Sequence, residues 1–273
     1  MLRSMYAGIS GMKNFQTKLD VVANNIANVN TPGFKKGRVV FQDMLSQTVA
    51  GAQAPTETRG GVNPAQVGLG SQLGAIDNIH TQGFRQTTNN PLDLSIQGDG
   101  FFAVQDGERT YYTRAGNFYL DHEGYIVNSD GYYLVGENLL TNDINPYDSR
   151  IRLPLDNVQS FNITQEGYVE YVDVETGQRE RAGRINIIDF ANPSGLYKEG
   201  GNLYTESPSS GAATVLDLDV SATSIVSNSL EMSNVDLAEE FTEMITAQRG
   251  FQANTRIITT SDEILQELVN LKR

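Results

Sequence analysis

Leu2, Met5, Ile9, Met12, Gln16, Leu19, Ala23 and Ile26 follow one another at alternating steps of three and four residues. That spacing lines one stripe of a helix, and over more than three seven-residue repeats it is the a/d register of a coiled coil. It predicts an N-terminal helix. Phe15 and Val22 widen the stripe, Gln16 and Ala23 weaken it, and Gly8 and Gly11 each cost roughly 1 kcal/mol relative to alanine in a helix interior. Alone in water such a helix is marginal. The C-terminal region repeats the pattern through Leu237, Phe241, Met244, Gln248, Phe251, Thr255, Ile258, Asp262, Leu265 and Val269, with Ile257, Ile264, Leu268 and Leu271 as a second row. Asn234 or Asp236 supplies its cap, and Glu239 and Glu240 suit the first turn. Gln248, Thr255 and Asp262 are poor in a buried two-helix core but suit a seam where register or neighbouring chains matter.

Between these ends the period changes from helical to alternating. Leu94-Ser95-Ile96, Phe102-Ala103-Val104, Tyr125-Ile126-Val127, Val169-Glu170-Tyr171-Val172 and Arg184-Ile185-Asn186-Ile187-Ile188 read as short strands. They are punctuated by Asp99-Gly100, Asp106-Gly107, Glu123-Gly124, Asp130-Gly131, Glu166-Gly167 and Thr176-Gly177. Tyr111-Tyr112 and Tyr132-Tyr133 should each place one ring inward and one outward. The stretch 51–70, rich in Gly, Ala, Pro and Thr, reads as an extended connector. The expected fold is therefore α+β. Residues 1–30 and 232–273 pair as a coiled-coil-like helical domain, 31–75 is a linker, and 76–231 is a mainly antiparallel β domain with a possible subdomain at 139–182.

Composition narrows the function. The 273-residue chain has no cysteine, which removes disulfides, thiolate nucleophiles and Cys-based zinc sites. A net charge of −13 argues against nucleic-acid binding, which needs clustered Lys and Arg. The charge is uneven: residues 1–40 hold six basic side chains and one acidic, whereas 231–273 hold eight acidic and four basic, so the ends are complementary. No apolar run reaches the roughly 18 residues of a membrane span, and Lys13 and Asn14 interrupt any signal-peptide core. The expectation is no membrane insertion and export, if any, without a cleaved signal.

Short motifs carry little chemistry. Ser10-Gly11-Met12-Lys13 matches S-x-x-K without its companion elements. His80 and His122 lack partners at metal-ligand spacing and read as surface or turn residues. Asp217 and Asp219, or Asp173 and Glu175, are the candidate acid pairs for a hydrolase, and exposed tyrosines on the β-body are what a glycan-binding adhesin would use. No catalytic, metal or cofactor site is expected. The stretch ANNIANVNTPGF, residues 23–34, is different: four asparagines fall within seven residues at the end of the first helix. Amides there serve orphan helical carbonyls, and one would suffice, so the surplus suggests a polar interface offered to other subunits.

Three longer segments resemble the axial proteins of the bacterial flagellum, the rod and hook subunits. They are LDVVANNIANVNTPGF at 19–34 followed by Lys35-Lys36, NNPLDLSIQGDGFFAV at 89–104 continued by Tyr112-Thr113-Arg114-Ala115-Gly116, and SLEMSNVDLAEEFTEMITAQRGFQAN at 229–254. The resemblance implies a non-enzymatic, self-assembling structural subunit of an extracellular hollow helical polymer. It implies passage through the flagellar type III export apparatus and, as partners, other rod subunits, the hook cap and the hook–filament junction. The ending 263–273 and the run from Gly33 to Met44 resemble hook proteins, especially of Gram-positive bacteria, so the hook is the expected member and the distal rod the alternative. The residues expected at the assembly interface are Leu2, Met5, Ile9, Met12, Leu19, Asn24, Asn25, Ile26, Asn28, Leu237, Phe241, Met244, Phe251, Ile258 and Leu265.

Overall fold

The computed structural model describes residues 2–55, 59–139, 149–155, 158–174, 177–220 and 222–271. The chain is α+β: helix α1 spans Leu2–Ala27, helix α2 spans Leu237–Leu271, and between them every strand pairing among the described residues is antiparallel. Asp236 starts α2, its Oδ1 accepting from the backbone N–H of Ala238 at 2.8 Å and of Glu239 at 3.4 Å. This satisfies two of the four orphan donors of the first turn.

Two units emerge, one made of α1, α2 and residues 37–78, the other of 28–36 and 79–235. In the first, Asn25 meets Glu240, Lys18 pairs with Glu243, Gly250 faces the Phe15 ring, Gly11 faces Asn254, and Gly8 faces Ile257 and Ile258. Partners descend along α1 as they ascend along α2, so the helices are antiparallel. The contacting rows keep the three-and-four spacing, yet each lies one residue before the stripe that hydrophobicity marks. A helix turns about 100° per residue. The packed seam mixes small and polar residues with Phe15 and Val22, Ala247 and Ser261 being buried in it, and the apolar stripes are turned aside. Gly250 is what permits it: an ideal Cβ there would fall within the Phe15 ring contact.

The expected connector is instead a paired arm. Gly37–Asp43 pairs with Ser71–Asn78, Ser46–Ala50 pairs with Ala65–Gly68, and Gln53 bridges Val62. Its base is tied to α1 by Phe41, edge-on to Phe15 at a centroid distance of 6.3 Å, and by Asn14, whose Nδ2 donates to Ser71 Oγ at 2.8 Å. Gly and Thr between strands disguised a ladder as a linker.

The second unit centres on a sheet whose middle strands, Phe101–Asp106 and Arg109–Thr113, are flanked by Leu203–Thr205, Tyr133–Leu134 and Ile187–Asp189. Strand alternation feeds two cores. Phe102, Val104, Tyr111 and Ile187 pack on one side with Leu94, Ile96 and Phe118, while Phe101, Ala103, Tyr112 and Ile188 pack on the other with Phe190 and Tyr204. Burying each large side chain contributes roughly 1.5–3 kcal/mol. Tyr111 and Tyr112 are thus both buried, against the expectation of one outward ring, because this sheet is covered on both faces. A four-stranded sheet of Gly136–Asn138, Arg179–Ile185, Tyr168–Asp173 and Val158–Ile163 adds Ile163, Val169, Tyr171, Ala182 and Ile185 to the first core. Residues 140–148, within the expected subdomain, lie outside the described residues.

Gly116 closes against the strand Leu94–Gln97, accepting the Leu94 N–H at 2.9 Å, and a Cβ there would collide with the Leu94 carbonyl. Gly116→Ala should therefore destabilise the β-body by about 1–3 kcal/mol, read as a lower urea midpoint at unchanged slope.

Candidate assembly interface

The apolar residues expected at the interface form one open face. Met5, Ile9, Met12, Leu19 and Ile26 lie one position after the α1 seam, and Leu237, Phe241, Met244, Phe251, Ile258 and Leu265 one position after the α2 seam. In an antiparallel pair a one-residue step turns both helices toward the same side, because reversing the chain direction reverses the sense of rotation. None of these residues is buried: Phe241 is 50 % and Leu237 40 % exposed, and Ile9 36 %. The Leu2 side chain lies outside the described residues. On its opposite side α1 is covered, since Ser10, Asn14 and Val21 face the base of the arm at Gly70, Ser71 and Gly37.

The asparagines divide their roles. Asn25, 1 % exposed, is internal: its Oδ1 accepts the Gly37 N–H at 3.0 Å while Nδ2 donates to the Gly37 carbonyl at 2.9 Å and to Glu240 Oε2 at 3.2 Å. The amide thereby stands in for a paired backbone. This corrects its expected place on a surface offered to other subunits. Asn28 holds the following turn, its carbonyl accepting from Thr31 N and its Oδ1 from Thr31 Oγ1, both at 3.1 Å. Asn24 remains exposed on α1.

A buried ionic knot in the second unit escaped the sequence reading. Lys35, fully buried, donates from Nζ to Glu231 Oε1 at 2.6 Å and to the Thr81 carbonyl at 2.8 Å. Glu231 also accepts from Gly83 N at 2.9 Å and from Arg114 Nη1 at 3.3 Å, and its backbone carbonyl accepts from Gly33 N at 2.8 Å. Asn234 continues the stitch, accepting from Lys36 N at 2.8 Å and donating to the Ile79 carbonyl at 2.8 Å. Three distant stretches, 33–36, 79–83 and 231–234, are gathered here. Gly33, at φ +71°, is required because a Cβ would strike the Arg114–Ala115 backbone. Burial holds the Lys35 pKa below the ordinary lysine value, and the adjacent Glu231 carboxylate partly offsets this. His80, expected at the surface or in a turn, lies outside any helix or strand and is part-buried, packing edge-on against Phe101 and Tyr204 at 5.6 Å. Its pKa falls to about 4, chiefly through burial, with Lys35, Arg114 and Lys198 adding to the effect.

Comparison with known proteins now bears on this arrangement. Residues 5–35 match the family model of the flagella basal body rod protein, 95–171 the flagellar hook protein FlgE/F/G D1 domain, and 226–271 the flagellar basal body rod FlgEFG protein C-terminal. The chain is 56 % identical over 275 positions to the flagellar basal-body rod protein FlgG of Bacillus subtilis, covering all of both chains. It is 39 % identical to FlgG of Agrobacterium fabrum, covering 96 % of this chain and 97 % of that one. It is 32 % identical to the flagellar hook protein FlgE of Borreliella burgdorferi, with both chains covered and the alignment spread over 441 positions. The chain belongs to the flagellar rod and hook family.

As a flagellar axial protein it is a structural subunit and not an enzyme. The residues weighed for chemistry have structural duties in this axial subunit. Ser10 Oγ donates to the Ala7 carbonyl at 2.8 Å, within its own helix, and Lys13 is exposed. Asp217 and Asp219 both pair with Arg184 Nη2, at 3.2 and 3.1 Å, and Glu175 lies outside the described residues. Among the described residues no cluster of His, Cys, Asp or Glu suits a metal ion, and no helix is long and apolar enough to cross a membrane.

Glu231→Gln keeps the shape of the knot but leaves Lys35 and Arg114 without a counter-charge, so the β-body should lose about 3–5 kcal/mol, measured by chemical unfolding. His80 generates a pH dependence. Between pH 6.5 and 4 the unfolded chain takes up a proton that the folded site refuses, so stability falls as the pH drops through that window. His80→Phe should flatten this part of the profile. Its stability relative to the parent should rise on the order of 2–3 kcal/mol from pH 7 to pH 4.

Proposed function

We propose that the chain is a distal-rod subunit of the flagellar basal body, part of the stiff shaft that carries motor torque outward. The observation that carries this is alignment economy. The Bacillus subtilis rod protein aligns in 275 positions for a chain of 273 residues, whereas the hook proteins of Borreliella burgdorferi and Treponema pallidum need 441 and 464. These two hook proteins therefore carry long segments without counterpart here. This reverses the preference for the hook that the chain ends suggested.

On this reading, 1–30 and 232–273 act as the coiled-coil-like core, and Met5, Ile9, Met12, Leu19, Ile26, Leu237, Phe241, Met244, Phe251, Ile258 and Leu265, with Leu2, Asn24 and Asn28, meet other copies in a helical tubular polymer. The open apolar face supports this, since burying it against neighbours removes hydrocarbon from water and offsets the ordering entropy of the long helices. The marginal α1 suits export as an unfolded chain through the flagellar type III apparatus, without a cleaved signal. The other rod proteins and the hook are then its axial neighbours, and the residues 76–231 form the outer β-domain.

Genetic replacement tests the assignment. Expressed in a related bacterium lacking its distal-rod protein, the chain should restore rods and swimming. In a strain lacking only the hook protein it should restore neither hooks nor swimming. The opposite pair of results would return the assignment to the hook.

A further inference from the structure

Among the described residues, the two larger sheets of the second unit end in five edge strands, and four of them are blunted. Tyr119–Leu120 is two residues long, Thr214–Leu216 and Gly136–Asn138 are three, the latter with Glu137, and Tyr197–Gly200 carries Lys198, Glu199 and a shift of register. Shortness, charge and bulges are the usual defences of an edge. The fifth, Val158–Ile163, is six residues long and has no charged side chain. It pairs on one side with Tyr168–Asp173, and no described strand pairs with its other side. Its register shift lies between Val158 and Ser160, which leaves Ser160–Ile163 as a regular ladder.

The inward face of this strand is unfinished as well. Phe161 lies opposite the buried Tyr171 and Ile163 opposite Val169, yet Val158 and Phe161 are only partly buried against the first core. Beside them runs a cleft of about 370 Å³ whose far wall is Pro91, Leu120, Leu153 and Leu155, with Leu155 43 % exposed. Unpaired backbone donors and acceptors therefore border a largely hydrocarbon hollow that no charged residue lines. The combination suits strand addition, in which main-chain hydrogen bonds hold an extended segment and its alternate side chains enter the adjoining hollow.

We infer that Val158–Ile163 and this cleft form a docking groove for an extended segment of another protein, uncharged and with aliphatic side chains at alternate positions. The groove belongs to the β-body alone and is independent of the rod assignment. Its chemistry selects the partner. A charged segment would lose its hydration there without gaining a counter-charge. The hollow is at the small end of ligand clefts and takes a few aliphatic side chains, not a second sheet. A second copy pairing through the same strand about a twofold axis would bring both Leu155 walls over one junction.

The test uses the full-length chain and an acetylated, amidated heptapeptide of alternating valine and threonine. Calorimetry should show saturable binding, weakened roughly tenfold or more by Leu155→Glu and abolished when alternate peptide nitrogens are methylated. On the unsubstituted chain, added peptide should slow hydrogen exchange within 158–163, a readout that stands even if the substitution disturbs folding. Absence of binding, protection confined to other strands such as the exposed Ser46–Ala50, or affinity indifferent to both Leu155→Glu and methylation would each overturn the proposal. Concentration-dependent dimers that protect 158–163 without peptide would place a second copy on this edge and overturn it equally.

Discussion

The close approach of α1 and α2 through small residues sets the surface chemistry of the helical unit. Phe15 can enter the space that Gly250 leaves open, and Asn254 the space at Gly11. Apart from Phe15 and Val22, helices that meet through glycine, alanine and serine bury little hydrocarbon between themselves. Their bulky apolar residues are rotated by about 100° to a common side, where they are of no use to the isolated chain. An isolated copy is in this sense an unfinished core.

The β-body follows the opposite economy. Its central sheet is packed on both faces, so Phe101 and Phe102, adjacent in sequence, belong to two different cores. The ends of this unit are tied by charge. Lys35, Arg114 and Glu231 are withdrawn from water, and such a group repays its desolvation only when its geometry is satisfied from several sides. Glu231 meets that condition by accepting from two cations and a backbone N–H. The arrangement exacts a close fit between three chain segments that are far apart in sequence, and a loosely assembled junction would leave buried charge unpaired. Such a joint has no comfortable partly opened state.

Family relationship and geometry meet at these two features. The rod and C-terminal family models cover the helices with Lys35 and Glu231, and the D1 model covers the centre of the doubly packed sheet. The long paired arm at 37–78 lies between the matched regions. Sequence patterning passed over its outer part because Ser46–Ala50 and Ala65–Gly68 are exposed throughout, so hydrophobic alternation, the usual signature of a half-buried strand, does not develop there.

Periodicity and turn chemistry by themselves determined the two terminal helices, the antiparallel β texture, the turns at Asp-Gly and Glu-Gly pairs and the apolar stripes, because each is a local property repeated along the chain. Even the resting place of those stripes as a single face follows once the helices are known to run antiparallel. Tertiary structure alone decided which row forms the intramolecular seam, that Asn25 pairs with Gly37 rather than serving a neighbour, that His80 is enclosed by aromatic rings, and that Lys35 meets Glu231. Those outcomes depend on the distance at which two remote backbones can approach, and that is fixed by what surrounds a glycine or a lysine in space, which no spacing along the chain records.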